Sequence, residues 1–461
     1  MSIAGIALSL GLFMLLAYRG VNVVLLAPAM ALLAVACDPG MPVLASYTQV
    51  FMPALGRFVA NYFPLFLLGS VFGKLLDDGG CTAAIAHRVV DVLGVRRSLW
   101  AIVLSCALLT YGGVSVFVVV FAVLPLGETL LHRADIPKRL LPGAVALGSF
   151  TFSMTMAPGS LQMHNLIPMR FFGTTAFAAP LLGLLGTAVM IAIGMAWLTA
   201  RAHAASRRGE GYGAARPIAP EVAADATLPS FAVAILPVVA VLVLNFVFTE
   251  HVVGRWDAGY LADPRFGGTS IDAVRGLWAT ILSLLAASAI VVALRFRSLG
   301  RLGQSLTEAA GATLMPIFNT ASEVGYGATV ASLSGFAAIR AALLGVVPAN
   351  PLISEAIAVN LLAGITGSAS GGLTIALEAL GSVFLDRGRA AGIDPELLHR
   401  VAAMSCSGLD TLPHNGAVVT LLLICGLSHR QSYLDIFVVS VVAPIVATAL
   451  VLLVGSTVGC M

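Results

Sequence analysis

The feature that most constrains this chain is a series of apolar runs. Several reach roughly 17–25 residues, enough to cross a hydrocarbon core about 30 Å thick. In lipid a spanning segment must satisfy its own backbone hydrogen bonds, so these runs read as helices. Charged residues make up 10% and hydrophobic ones 59%, where a soluble domain carries about 25% charged residues. The expected class is an all-α polytopic membrane protein in the lipid bilayer. The net charge of +3 comes from loops and gives no reason to expect a nucleic-acid partner. Cys37, Cys81, Cys106, Cys406, Cys425 and Cys460 are scattered without a CxxC pair, so they read as buried small residues; no metal and no cofactor is expected. The opening MSIAGIALSL lacks a preceding basic segment and reads as a retained span.

Hydropathy and turn residues give spans at 2–17, 21–37 and 48–77, an amphipathic piece at 80–94, and 98–131 interrupted at 110–113. Then come 138–169, interrupted around Pro158-Gly159, and 177–199. A polar stretch, 200–230, is the one clear linker. The order then repeats: 231–249, 272–295, 304–330, amphipathic 333–346, interrupted 351–386, interrupted 396–427, and 434–457. Gly112-Gly113 pairs with Gly371-Gly372, Pro137 with Pro395, and Pro158 with Pro413. Interrupted segments at matching places in two halves point to a transporter built from repeats.

We read 98–131 and 351–386 as re-entrant hairpins. Each half, 1–199 and 231–461, then has five crossings. Five is odd, so the second repeat is inverted. With both termini periplasmic, 16 of the 25 Lys and Arg residues fall on the cytoplasmic side, as the positive-inside rule asks. Arg387, Arg389 and Arg400 count against it.

Breaks in a lipid-embedded helix cost several kcal/mol per unsatisfied backbone group, and persist where they face a ligand or water. Inversion would bring four of them to the bilayer midplane. The first tip offers Thr110, Gly112, Gly113 and Ser115, and the second Thr366, Ser368, Ser370, Gly371, Gly372 and Thr374. The first uncoiled stretch offers Thr151, Ser153, Thr155, Ser160, Gln162, His164 and Asn165; the second offers Ser405, Ser407, Asp410, Thr411, His414 and Asn415. Free helix N-termini favour an anion, and hydroxyls and amides suit a hydroxy acid. The competing reading is that Ser and Thr bond back to the i−4 carbonyl, or that small residues only pack helices. For ion coupling the candidates are Asp410, His414 and Glu323, since a carboxylate inside a span is functional by default and histidine titrates near neutrality. Glu355 and Glu378 are weaker, lying near hairpin ends.

At these residues the chain resembles the gluconate permease family of bacterial symporters. The resemblance rests on LFLLGSVFGKLLDDGG (65–80), LTYGGVSVFVVVFAVLPL (109–126), GSFTFSMTMAPGSLQMHNLIP (148–168) and GLDTLPHNGAVVTLL (408–422). It covers nearly the whole chain and is most similar to the 3-hydroxybutyrate permease-like branch. It implies the ion-transporter superfamily fold, a homodimer with elevator-type movement, and proton-coupled uptake of small organic acids across the bacterial inner membrane. Where gluconate permeases typically read ALPGTPQIQN, this chain has MAPGSLQMHN, which points away from gluconate itself. Sodium coupling on the same fold stays open. An intramembrane enzyme is the contrasting class, but no GxSxG or HExxH motif occurs, and GSVFGKL (69–75) has the wrong spacing for a P-loop.

Overall fold

The chain is described here from a computed structural model covering residues 2–19, 21–213, 228–345, 350–413 and 415–459. Every regular element among them is helical. In order they are α1 Ser2–Tyr18, α2 Val23–Ala36, α3 Val43–Asp78, α4 Cys81–Leu93, α5 Ser98–Tyr111, α6 Val116–Arg133, α7 Leu141–Ser149, α8 Phe152–Thr155, α9 Met163–Phe172 and α10 Pro180–Arg207. The second half holds α11 Phe231–Arg255, α12 Ile271–Arg295, α13 Leu302–Ala331, α14 Phe336–Gly345, α15 Pro351–Thr366, α16 Ala369–Ala390, α17 Pro395–Ser405, α18 Gly416–Ile424 and α19 His429–Val458.

Among the described residues, six helices are long and apolar enough to cross a membrane, or seven if the bent pair α4–α5 counts as one span. Five of the ten expected crossings are among them, the sixth helix being the hairpin arm α16; 138–169 and 396–427 are divided at their glycine and proline breaks, α1 and α2 are shorter, and α13 is continuous but not apolar enough. The bend between α4 and α5 is 105°, so the amphipathic piece turns sharply away from the hairpin arm that follows.

The expected boundaries need three corrections. The linker does not start at 200: α10 runs on to Arg207 with no breaker before Gly209, so the linker begins at 208, and 214–227 lie outside the described residues. The stretch 231–249 continues to Arg255, and the last span begins at His429, where Ser428 and Gln431 form a capping box. Finally, Gly371-Gly372 are not the turn of the second hairpin. That turn is Gly367, with φ 64°, matching Gly113 at φ 92° in the first hairpin. Both accept a left-handed conformation that a side chain disfavours. Gly371 and Gly372 lie within α16 and are small for packing: a Cβ on Gly372 would sit 2.2 Å from the Ala363 nitrogen. The true equivalence is therefore offset by 254, beside the 255 that separates Pro158 from Pro413.

Contacts at helix ends fix the directions of the chain. Ser2 Oγ donates to Asp38 Oδ2 at 2.8 Å, and Ser334 Oγ donates to Asp38 Oδ1 at 2.9 Å. The start of α1 and the ends of α2 and α13 therefore share one end of the molecule, the near end. At the far end, Lys74 near the end of α3 pairs with Glu308 near the start of α13 at 2.9 Å. Arg295, closing α12, donates to the Gly79 carbonyl at 2.8 Å. So α3 and α13 run antiparallel, and α2 and α12 finish at opposite ends. Arg139 joins Glu210, past the end of α10, at 2.6 Å, while Arg201 reaches Asp435 in the first turns of α19 at 2.9 Å. Asn350, at the mouth of the second hairpin, donates to Ser456 near the end of α19 at 3.1 Å. Thus α10 and α19 also run antiparallel.

The packing repeats as well. Helix α2 lies on α13 and α12 on α3; α1 lies on α2 and α11 on α12; α5 lies on α7 and α15 on α17. The arms α5–α6 and α15–α16 pack as two hairpins.

Candidate functional site

The first tip forms because α5 runs out at Tyr111 and Gly112-Gly113 reverses the chain into α6. Gln162, the residue before α9, reaches across to it. Its Nε2 donates to the carbonyls of Thr110 at 2.7 Å and Val114 at 3.4 Å. The Tyr111 hydroxyl donates to the Pro158 carbonyl, and Thr110 Oγ1 to Ser149 Oγ at 3.2 Å. The second tip is built alike. Gly367 ends α15 and Ser368 caps α16, its hydroxyl accepting from the Gly371 N–H at 3.1 Å. Asn415, the residue before α18, donates from Nδ2 to the Gly367 carbonyl at 2.9 Å, while its Oδ1 caps α18 by accepting from Val418 N–H at 2.9 Å. An amide before the second part of each broken helix thus anchors the neighbouring tip.

The two uncoiled stretches meet directly. Thr155 Oγ1 lies 3.3 Å from Ser407 Oγ. Arg400, fully buried on α17, binds the first stretch more firmly. Its guanidinium donates to the carbonyls of Ala178 (3.0 and 2.6 Å) and Met156 (3.3 Å), and to Asn165 Oδ1 at 3.0 Å. Asn165 Nδ2 in turn donates to the carbonyls of Ser160 and Ala176. Glu323, on α13, packs against the second tip: a Cβ on Gly371 would lie 1.8 Å from Glu323 Oε2. A continuous path of contacts therefore runs from the first tip through both breaks to the second tip and α13.

Several predicted ligand groups prove to be committed within the fold. Thr151, Thr155, Thr366 and Thr374 bond back to the carbonyls of Leu147, Thr151, Leu362 and Ser370. Ser153 bonds to the Gly148 carbonyl and Ser160 to that of Ser153. Thr411 turns away toward α19, where it meets Ser440 Oγ at 2.8 Å. These hydroxyls retain accepting capacity only, and Asn415 is spent on the second tip. Ser115, by contrast, is exposed, Ser370 is half-buried, and His164 keeps its Nδ1 buried without a partner. His414 lies outside the described residues.

Of the carboxylates, Asp410 and Glu323 are buried, and each has one oxygen, Oδ1 and Oε2 respectively, without a hydrogen-bond partner. Glu355 is fully buried with neither oxygen partnered. Sequence reasoning ranked Glu355 below Asp410 and Glu323 and counted Arg400, within the span 396–427, only as a charge on the unfavoured side; no local pattern marks the burial of either, since both depend on which helices close around them. Chemically, the start of α6, α9, α16 and α18 offers N–H groups and the positive ends of helix dipoles to an anion, close to acids that can change charge.

Interrupted helices packed tip to break around uncompensated carboxyls define a polytopic membrane protein of the transporter class. No protein-family model matches the chain. The chain is similar to the uncharacterized transporter YxjC of Bacillus subtilis (strain 168), with 41% identity over 450 residues and 95% of each chain covered. It belongs to the family of that transporter, and is a multi-pass membrane transporter with a bacterial relative.

Proposed function

We propose that this protein is a secondary active transporter that imports a small hydroxy-monocarboxylate, gluconate-like or 3-hydroxybutyrate-like, together with protons across the bacterial inner membrane. The observation that carries the proposal is the meeting of both broken helices and both hairpin tips beside two buried carboxyls, Asp410 and Glu323, each with an unpartnered oxygen. An anion would bind at the helix starts and at Ser115, Ser370 and His164, while a carboxyl takes up the proton that accompanies it. The fold in this reading is two inverted repeats, each of five crossings and one hairpin. The antiparallel running of α3 against α13 and of α10 against α19 supports that arrangement. So does the twofold recurrence of helix pairings. Movement is of the elevator type within a homodimer, as the likeness to gluconate permeases implies.

The test begins with a thermal-shift screen of short hydroxy acids on purified protein. Hits are then taken into proteoliposomes with an imposed pH or sodium gradient. Uptake of a hydroxy acid driven by an inward proton gradient is expected. Asp410→Asn should insert normally, lose uphill uptake and keep substrate exchange. Accumulation driven by sodium at fixed pH would replace the proton with sodium on the same fold, and full accumulation by Asp410→Asn would remove Asp410 from coupling.

A further inference from the structure

Carboxylates sealed inside this protein fall into two kinds. Glu128 is 0% exposed and faces Lys138 Nζ at 2.7 Å. Asp435 is also 0% exposed and accepts from Arg201 Nε at 2.9 Å and Trp197 Nε1 at 3.0 Å. Each is sealed in as an anion with a cation beside it. Glu355 is 0% exposed too, yet neither carboxyl oxygen has a hydrogen-bond partner, and no ion pair reaches it among the described residues.

The described charges on the surrounding helices are engaged or exposed elsewhere. Glu355 lies in the second turn of α15, which packs on α16, α17, α1 and α14. On α17, Arg400 is engaged with the carbonyls of Met156 and Ala178, His399 Nδ1 with Thr174 at 2.6 Å, and Glu396 with the Ala179 N–H. On α16, Glu378 pairs with Arg170, and Asp386, Arg387 and Arg389 are exposed at the hairpin mouth. Helix α1 carries no charged residue, and Arg340 is the one charge in the sequence of α14. A carboxylate anion in this position would have lost its hydration with nothing in exchange. The neutral acid has no such charge to bury.

The geometry points to Glu355 as a proton-binding site on the second hairpin, separate from Asp410 and Glu323. With α15 packed as here the side chain is a carboxylic acid; when the hairpin shifts and water enters from its mouth, the proton leaves to that water. Eleven residues of helix put the site about 16 Å from the tip at Thr366, on the near-end side of the binding region. It is placed to exchange protons with the solvent that the hairpin mouth faces. Its meaning for transport rests on the proton-coupled reading; the bound proton does not.

Infrared spectroscopy of the purified full chain at neutral pH reads that proton directly. The wild type should show a carboxylic-acid C=O band that shifts in D₂O, and Glu355→Gln should remove part of it. A band unchanged by Glu355→Gln overturns the assignment. Should that variant fail to fold, the double variant Glu323→Gln/Asp410→Asn keeps Glu355 as the remaining uncompensated acid. It should retain a band, and complete loss there overturns the assignment equally. A retained Glu355 band together with hydroxy-acid uptake indifferent to the pH gradient would keep the site and sink the coupled reading, so the two failures are separable.

Discussion

Arg400 shows how one side chain can hold the two halves of the chain together. Its planar fork reaches the Ala178 and Met156 carbonyls and Asn165 Oδ1 at once, all within 3.3 Å. Those carbonyls belong to uncoiled backbone, where no helix neighbour supplies an N–H. Lysine presents a single point charge and cannot span the set. Arg400→Lys should therefore orphan at least one buried carbonyl, at about 1–3 kcal/mol each, seen as a lower detergent Tm and poorer yield. A wild-type Tm would show that these carbonyls find other donors. The sequence reading counted Arg400 only as a charge on the unfavoured side, because hydropathy reports what a residue is and not which helices enclose it. The same blindness undervalued Glu355. For the hydroxyls the competing reading describes what is seen at Thr374 and Thr155, which bond back to the i−4 carbonyl. Asp410 stood out in the sequence as an acid amid Pro413 and Gly416 in an apolar run, and it is buried with Oδ1 unpartnered.

Among the elements, the hairpins and broken helices were readable because glycine and proline interrupt runs that otherwise favour helix. What could not be read was the job of each glycine. Gly113 and Gly367 make turns, whereas Gly371 and Gly372 make room. The two kinds of room differ. On Gly372 a Cβ meets backbone of the facing arm, so Gly372→Ala must part α15 from α16, a loss of about 1–3 kcal/mol or more. On Gly371 the obstacle is the Glu323 carboxyl, the far end of a flexible side chain. Gly371→Ala should therefore fold but expel Glu323 from the second tip. A double-mutant cycle of Gly371→Ala with Glu323→Ala, read by thermal stability, should give non-additive losses; strict additivity would mean that the two do not share that space. The Arg139–Glu210 pair makes a pH prediction. Arg139, hydrogen-bonded to Glu210, holds its carboxyl below the usual range. A depressed carboxylate stabilises the fold above its unfolded pKa, and that contribution is lost as pH falls through the folded value. Glu210→Gln should thus lower Tm slightly at neutral pH and reduce the fall in Tm on acidification; an identical acid profile would place the sensitivity elsewhere.

At the scale of the whole molecule, antiparallel counterparts have a consequence for sidedness. If each half threads the bilayer an odd number of times, the hairpin mouth at Asn350 and the end of α19 at Ser456 share one face, as their hydrogen bond requires. The end of α10 and the loop after α12 share the other. That second face gathers Lys74, Lys138, Arg139, Arg201 and Arg295, while Arg400 drops out of the count for the first because it is buried. Removing it strengthens the charge asymmetry that orients membrane proteins, and the prediction is a cytoplasmic basic face. Ala391, Ser456, Ser206 and Ser298 are all exposed, so single cysteines at these positions can report. In a background with Cys37 and Cys460 replaced, a membrane-impermeant maleimide on intact cells should label Ala391→Cys and Ser456→Cys. Ser206→Cys and Ser298→Cys should react only after the membrane is opened. Labelling of Ala391→Cys and Ser206→Cys from the same side would be incompatible with inverted repeats. The four breaks would then lose the common depth that lets them enclose a ligand, whatever contacts join them.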